Sequence, residues 1–345
     1  MREVRWSRRK ALGVGAAFAV AGCQTPAHDR ALLTVNLADV GPPSPAPPPV
    51  PGQAPPADGA QLETAFDQAL RMTVPVFING TGPFAFVVDT GANRSVLALE
   101  LAQRLGLETL GSAEIHGIAG VEPAPLFRTR VLRLGDVYST NLSLPGAPAG
   151  RLGAEGLVGV DVLRDRKVTL GFAANQFYIS PSALRGSVGR GGGSRLPDPQ
   201  HTVTVPARYR FGQLIIVDAE IGGIPVTAFL DSGSQITIGN PALRQAILRA
   251  QPGLVDRFVE APLISATGQI ARGEFTSLPP LRLGGMLVQQ LSGVFAALHI
   301  FDLWDLKQQP ALLIGVDVLR QFTSVELDFG RREVTFTPAR ARRRS

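Results

Sequence analysis

The apolar residues of this chain fall into short runs that break in the same way twice. Phe84-Ala85-Phe86-Val87-Val88 stops at Asp89-Thr90-Gly91, and Val226-Thr227-Ala228-Phe229-Leu230 stops at Asp231-Ser232-Gly233. A strand-like run and a turn precede each stop: Thr73 to Ile78 with Asn79-Gly80, and Leu214 to Ile221 with Gly222-Gly223. The pattern predicts two β-hairpins whose second strands both end in Asp. A short amphipathic helix is predicted after each, over Ser95 to Leu105 with Gly106 as its stop, and over Pro241 to Leu248. About 70 to 85 residues beyond each Asp a second echo appears, Leu157-Val158-Gly159-Val160-Asp161 and Leu313-Ile314-Gly315-Val316-Asp317. Each half closes on another hairpin, Val168–Phe172 with Gln176–Ile179 and Val325–Phe329 with Glu333–Phe336. Markers recurring in one order indicate a duplicated unit. Many short strands, few helices and frequent turn signals predict an all-β protein.

The expected organisation follows from breaks in this pattern. Residues 61–185 form a first lobe, the Gly-rich stretch 186–195 a linker, 196–338 a second lobe, and 339–345 a basic tail. Residues 23–60 carry prolines at 42, 43, 45, 47, 48, 49, 51, 55 and 56. They are expected to be an extended, flexible tether. Residues 1–22 read as a targeting segment: a basic stretch through Lys10, a short apolar run from Ala11 to Ala21, then Gly22-Cys23. Val20-Ala21-Gly22-Cys23 resembles a bacterial lipobox, which implies a lipid on Cys23, the only cysteine of the chain. Ser7-Arg8-Arg9-Lys10-Ala11-Leu12 also resembles a twin-arginine export signal, with Ala11 in place of the usual aromatic residue. The expected location is the bacterial cell envelope, facing the periplasm, with the membrane contacted through the lipid anchor.

Charge and composition narrow the function. With 345 residues and 45% hydrophobic content, the chain is long enough for two ordinary lobes and a sizeable core. Its net charge of +6 is concentrated at the ends. Five cations against Glu3 give +4 in the first ten residues, and Arg340, Arg342, Arg343 and Arg344 give +4 more. The remainder therefore carries about −2, which excludes the basic face a nucleic-acid binder needs. The four histidines (28, 116, 201 and 299) are scattered and form no metal-ligand motif. Neither a metal nor another cofactor is expected.

The duplication carries the candidate chemistry. Two equivalent lobes packed face to face would bring Asp89 and Asp231 together. Carboxyls at hydrogen-bond distance cannot both ionise, so they share one proton and split their apparent pKa values. With Asp89-Thr90-Gly91, Asp231-Ser232-Gly233 and the two apolar-apolar-Gly triplets, the chain resembles the retropepsin-like and pepsin-like aspartic proteases over residues 70 to 337. The resemblance implies a bilobal acid-protease fold, with two pseudo-symmetric, closed β-barrel-like lobes and one or two short helices in each. It implies Asp89 and Asp231 as the catalytic pair, with Thr90, Gly91, Ser232 and Gly233 supporting the active loops and the Gly triplets bracing them from below. It also implies a covering hairpin, for which Gly117 and Ile118 in lobe one and Thr267 and Gly268 in lobe two are the candidates. Neither segment has the tyrosine of the pepsin flap. Asp161 and Asp317 are expected to be structural caps or ion-pair partners, and the apolar insertion Phe301–Lys307 is expected to pack in the core.

The function expected is an aspartic endopeptidase acting on an extended peptide or protein chain. The protein is expected to be a monomer, since one chain holds both halves of the site. The alternative is a catalytically silent, peptide-binding lipoprotein on the same fold. Retention of both aspartates and both neighbouring hydroxyls argues against it.

Overall fold

A computed structural model describes residues 33–36, 59–67, 69–117, 120–182, 202–210, 212–216, 218–264 and 270–339. The targeting segment, Cys23, most of the tether, the interlobe linker and the basic tail lie outside these residues.

The first part of the chain supplies β1 (Leu33–Asn36), β2 (Ala60–Glu63), β3 (Ala65–Phe66), β4 (Met72–Ile78), β5 (Thr81–Val88) and β6 (Val96–Ala98). Then come α1 (Leu99–Arg104), β7 (Thr109–Gly117), β8 (Gly120–Leu134), β9 (Val137–Ala147) and α2 (Ala149–Leu152). β10 (Gly156–Val158), α3 (Val160–Leu163), β11 (Arg166–Gly171) and β12 (Gln176–Pro181) complete lobe one.

Lobe two runs β13 (Val203–Arg210), β14 (Gln213–Ile216), β15 (Ala219–Ile221), β16 (Ile224–Pro225), β17 (Thr227–Leu230) and β18 (Ile238–Gly239). It continues with α4 (Pro241–Ala250), β19 (Val259–Ile264), β20 (Ile270–Ser277), β21 (Leu281–Leu283), β22 (Met286–Gln289) and β23 (Ser292–Phe295). α5 (His299–Leu303), β24 (Ala311–Ile314), α6 (Val316–Leu319), β25 (Phe322–Asp328) and β26 (Glu333–Pro338) end it. The protein is thus mostly β.

In lobe one the sheet closes on itself through β4–β5–β10–β6–β9–β8 and back to β4. Buried strands account for this ring: Val76, Ile78, Phe86, Val88, Leu97, Leu132 and Leu134 are all buried. The β4–β5 hairpin turns at Asn79 and Gly80, with φ of 50° and 87°, as an Asn-Gly turn requires. In lobe two the corresponding strands form an arc, β14–β17–β24–β18–β23–β20–β19, and a separate sheet, β16–β15–β21–β22–β1.

Between the lobes lies an antiparallel sheet in the order β2–β12–β11–β25–β26–β13. Its centre is the β11–β25 pair, where Val168 faces Leu327, Thr169 faces Glu326 and Leu170 faces Val325. Val168 and Val325 hold equivalent places in the repeat, as do Leu170 and Leu327. The register therefore has a local two-fold axis at Thr169 and Glu326. A hydrophobic cluster runs through both lobes and this sheet, including Val88, Leu170, Phe177, Val205, Leu230, Val325 and Phe336.

Three expectations need correction. The run from Ser95 is not helical at its start, because Val96–Ala98 pairs with β9 and β10 before α1 begins. A strand buried on both faces has no alternation to distinguish it from a buried helix. The stretch from Leu214 to Ile221 is two strands in two sheets, not one. Within the expected tether, Leu33–Asn36 is a strand, paired in parallel with Met286–Gln289. The proline-dense stretch, residues 42–56, comes after it. The insertion packs as expected: Phe301, Trp304 and Leu306 are buried, and Trp304 stacks on Phe229 with ring centroids 4.5 Å apart.

Candidate active site

Asp89 and Asp231 stand directly beyond the ends of β5 and β17. Each strand is held in place by a parallel neighbour. β5 lies beside β10, with Val88 opposite Val158, and β17 lies beside β24, with Leu230 opposite Ile314. The ladder then passes one residue further, from Asp89 N–H to Val158 O at 2.9 Å and from Asp231 N–H to Ile314 O at 3.0 Å. The Gly triplets predicted to lie beneath the two loops are these neighbours. Val160 N–H donates to Ala92 O at 2.8 Å, and Val316 N–H to Ser234 O at 2.9 Å. A Cβ on Gly159 would come within 2.8 Å of Ala92 O, and one on Gly315 within 2.9 Å of Ser234 O, so only glycine fits.

The loops are cross-linked reciprocally. Thr90 Oγ1 donates to Leu230 O at 2.8 Å and accepts from Ser232 N–H at 3.0 Å. Ser232 Oγ donates to Val88 O at 2.7 Å and accepts from Thr90 N–H at 3.1 Å. Both side chains are buried. Within each loop the carboxylate accepts backbone N–H bonds: Asp89 from Gly91 at 2.9 Å, Asp231 from Gly233 at 2.8 Å and from Ser234 at 3.0 Å.

The carboxyls meet across the two-fold axis, each packed against the glycine of the opposite loop. A Cβ on Gly91 would sit 2.6 Å from Asp231 Oδ1, and one on Gly233 would sit 2.5 Å from Asp89 Oδ1. Each aspartate thus occupies the space that a side chain on the opposite glycine would take. Protein packs densely around both groups, although Asp89 keeps some solvent contact. Burial, and then the charge of Asp89, push Asp231 up to about 8. Asp89 is also raised by burial, but the Arg71 guanidinium and the N–H groups of its loop oppose that.

Asp161 and Asp317 take the structural place expected for them. Asp161 Oδ1 accepts from Ser95 N–H at 2.9 Å and from Ser95 Oγ at 2.7 Å. Asp317 accepts from Thr237 N–H at 2.9 Å and from Thr237 Oγ1 at 2.8 Å. These hydroxyls in turn accept from Gly159 N–H at 3.0 Å and Gly315 N–H at 3.1 Å. Burial raises the Asp317 carboxyl above its usual range. Sequence reasoning missed Ser95 and Thr237, although each stands six residues after its lobe's Asp.

Both candidate covering hairpins exist. In lobe one β7 and β8 pair up to Gly117 opposite Gly120, and in lobe two β19 and β20 pair up to Ile264 opposite Ile270. Ile118, Thr267 and Gly268 lie outside the described residues. The lobe-one hairpin touches lobe two through His116, whose Nδ1 is 3.0 Å from His299 Nε2 on α5, the rings being stacked. Among the described residues no group of three or more His, Cys, Asp or Glu side chains is arranged to hold a metal. Among them, too, no helix is long and apolar enough to cross a membrane.

No curated protein sequence matches the chain. Among solved structures it is similar to the "Crystal structure of aspartic proteinase from Irpex lacteus", with 11% identity and a TM-score of 0.45, over 83% of this chain and 99% of that one. Residues 74–165, which hold Asp89-Thr90-Gly91 and the first Gly triplet, match the family described as "gag-polyprotein putative aspartyl protease". That match supports an aspartic-protease type of function for the lobe built around Asp89.

Proposed function

We propose that the chain is an aspartic endopeptidase in which Asp89 and Asp231 act as one monoprotonated pair. The observation that carries this reading is the mutual packing of the two carboxyls, each against the glycine of the other loop. Such a pair holds a single proton over a wide pH range. The ionised carboxylate takes a proton from a water molecule as its oxygen attacks the scissile carbonyl carbon. The neutral carboxyl gives its proton to the carbonyl oxygen, so a tetrahedral diol forms. As the diol collapses, the carboxyl that took the water proton gives a proton to the leaving nitrogen, the other carboxylate takes one from a diol hydroxyl, the C–N bond breaks and the pair is again monoprotonated. Thr90 and Ser232 keep the loops from separating while this charge moves.

The substrate is a peptide in extended form, bound between the lobes by backbone hydrogen bonds. We place the protein in the bacterial envelope, held by a lipid on Cys23 and reaching substrate through its Pro-rich tether. The residues of the lipobox and the basic flank support that placement.

Digestion of a denatured-protein mixture by the full chain in detergent tests the activity. New peptide ends that accumulate with time, insensitive to chelators, are the expected result. Tight peptide binding with no product between about pH 4 and pH 8 would instead favour the silent binding protein.

A further inference from the structure

The two lobes match closely at the loops, but the matched pair of side chains that reaches across to them differs in charge. Arg71 and Gln213 each stand 18 residues before their lobe's aspartate, since 89 − 71 and 231 − 213 are equal. Each leads into the strand that pairs with the aspartate-bearing strand. Thr73 lies opposite Val87, and Ile215 lies opposite Phe229, each two residues in from these points. Both side chains cross to the other lobe. Arg71 Nη1 donates to Gly233 O at 3.5 Å, and Gln213 Nε2 donates to Gly91 O at 3.0 Å. The positions are thus related by the same two-fold axis as the aspartates.

This geometry makes the site electrically unequal. Gly233, held by a cation, is the residue packed on the Asp89 carboxyl. Gly91, held by a neutral amide, is the residue packed on the Asp231 carboxyl. The guanidinium is fixed in place: its side chain is only 11% exposed, so water screens it weakly. Asp67 accepts from Nε at 2.7 Å and pairs with Nη2 at 2.5 Å, and Leu152 O also accepts from Nη2. Gly153 leaves room for it, since a Cβ there would lie 2.8 Å from Nη2. Behind Gly91 the Gln213 amide is instead shared with Asn93 Oδ1 at 2.7 Å, another neutral group.

We propose that Arg71 is a positioning residue that places the negative charge of the pair on Asp89 and leaves the shared proton on Asp231. In the proposed protease this makes Asp89 the general base and Asp231 the group that polarises the carbonyl, so the inference rests on that reading for its catalytic meaning. Among the described residues, the charged groups that act on the pair are Arg71 ahead of β4, with Asp67 paired behind it, and each aspartate on the other. Burial raises both carboxyls, and Arg71 is the largest influence opposing it at Asp89.

The test is a carboxyl 13C NMR titration of the full chain, with Asp89 and Asp231 assigned through their Asn variants. Arg71→Gln copies the lobe-two arrangement, and Arg71→Lys keeps the charge. In Arg71→Gln the lower apparent pKa of the pair should rise by about one unit, the lower end of what a nearby opposite charge supplies. Arg71→Lys should restore it, and the acidic limb of kcat/KM should move with the titration. If Arg71→Gln fails to fold because Asp67 is left unpaired, the double variant Asp67→Asn with Arg71→Gln removes both charges and should show a rise of the same sign but smaller size, since the Asp67 anion is removed as well. An unchanged titration in the folded neutral variant would overturn the proposal. The titration needs no turnover, so absence of cleavage with the rise intact would defeat the protease reading and leave the charge assignment standing.

Discussion

The α-carbon of Gly91 rests on the carboxyl of Asp231, and the α-carbon of Gly233 rests on that of Asp89. The two-fold relation between the lobes is therefore tightest at the groups that would do chemistry. Gly91→Ala or Gly233→Ala should force the loops apart or twist the opposing carboxyl. Overpacking of this kind costs about 1–3 kcal/mol. Cleavage should fall far more than that stability loss alone implies, because the carboxyl pair is disrupted. A denaturant melt beside an activity assay checks it; alanine at either position with full activity contradicts the packing.

Thr90→Ala should destabilise the chain more than Thr90→Ser. The alanine leaves Ser232 N–H without its acceptor and Leu230 O without its donor in a buried place. Each such orphaned group costs about 1–3 kcal/mol. Serine keeps the hydroxyl and loses only a methyl. Urea unfolding of the two variants measures the difference.

Thr237→Val preserves shape but removes the hydroxyl shared by Gly315 N–H and Asp317. We expect a loss of about 1–3 kcal/mol by the same desolvation argument. Ser95→Ala should behave alike in lobe one, where Gly159 N–H and Asp161 lose the corresponding bond. Thermal melts test both, with the drop expected in the apparent midpoint rather than in the fold.

The buried pair should make stability fall as pH rises. Asp231 in the folded protein is pushed up to about 8, from 3.8 for an ordinary aspartate. The folded state thus binds a proton that the unfolded chain has released. Its stabilising contribution is complete below about pH 4 and is lost as pH rises toward 8. Asp231→Asn removes that dependence, so it should raise the melting temperature at pH 8 more than at pH 4. A shift of equal size at both pH values contradicts the proton on Asp231.

What was legible in the sequence was what the chain writes twice. Asp-Thr/Ser-Gly, the Gly triplets and the closing hairpins recur in one order, and a tight turn or a close approach admits few residue types. Asn79-Gly80 is such a turn and Gly159 such an approach. Less legible was anything decided by distant pairing. Val96–Ala98 is a strand because β9 and β10 flank it, and its apolar run carries no period that says so. Leu33–Asn36 is a strand because Met286–Gln289 offers a free edge far along the chain. Arg71 and Gln213 share a spacing but not a chemistry, so their equivalence appears only once both are seen to reach the opposite loop. The hydroxyls of Ser95 and Thr237 had a usable signal, their common distance from the aspartates, but its purpose depends on the glycine beneath each loop.

The most direct measurement is the rate of peptide hydrolysis by the wild-type chain, Asp89→Asn and Asp231→Asn, each first shown to be folded. Either substitution should lower the rate by at least about 100-fold, the minimum expected when a general acid or base is lost. Hydrolysis that continues at the wild-type rate in either folded variant would contradict a paired-aspartate mechanism.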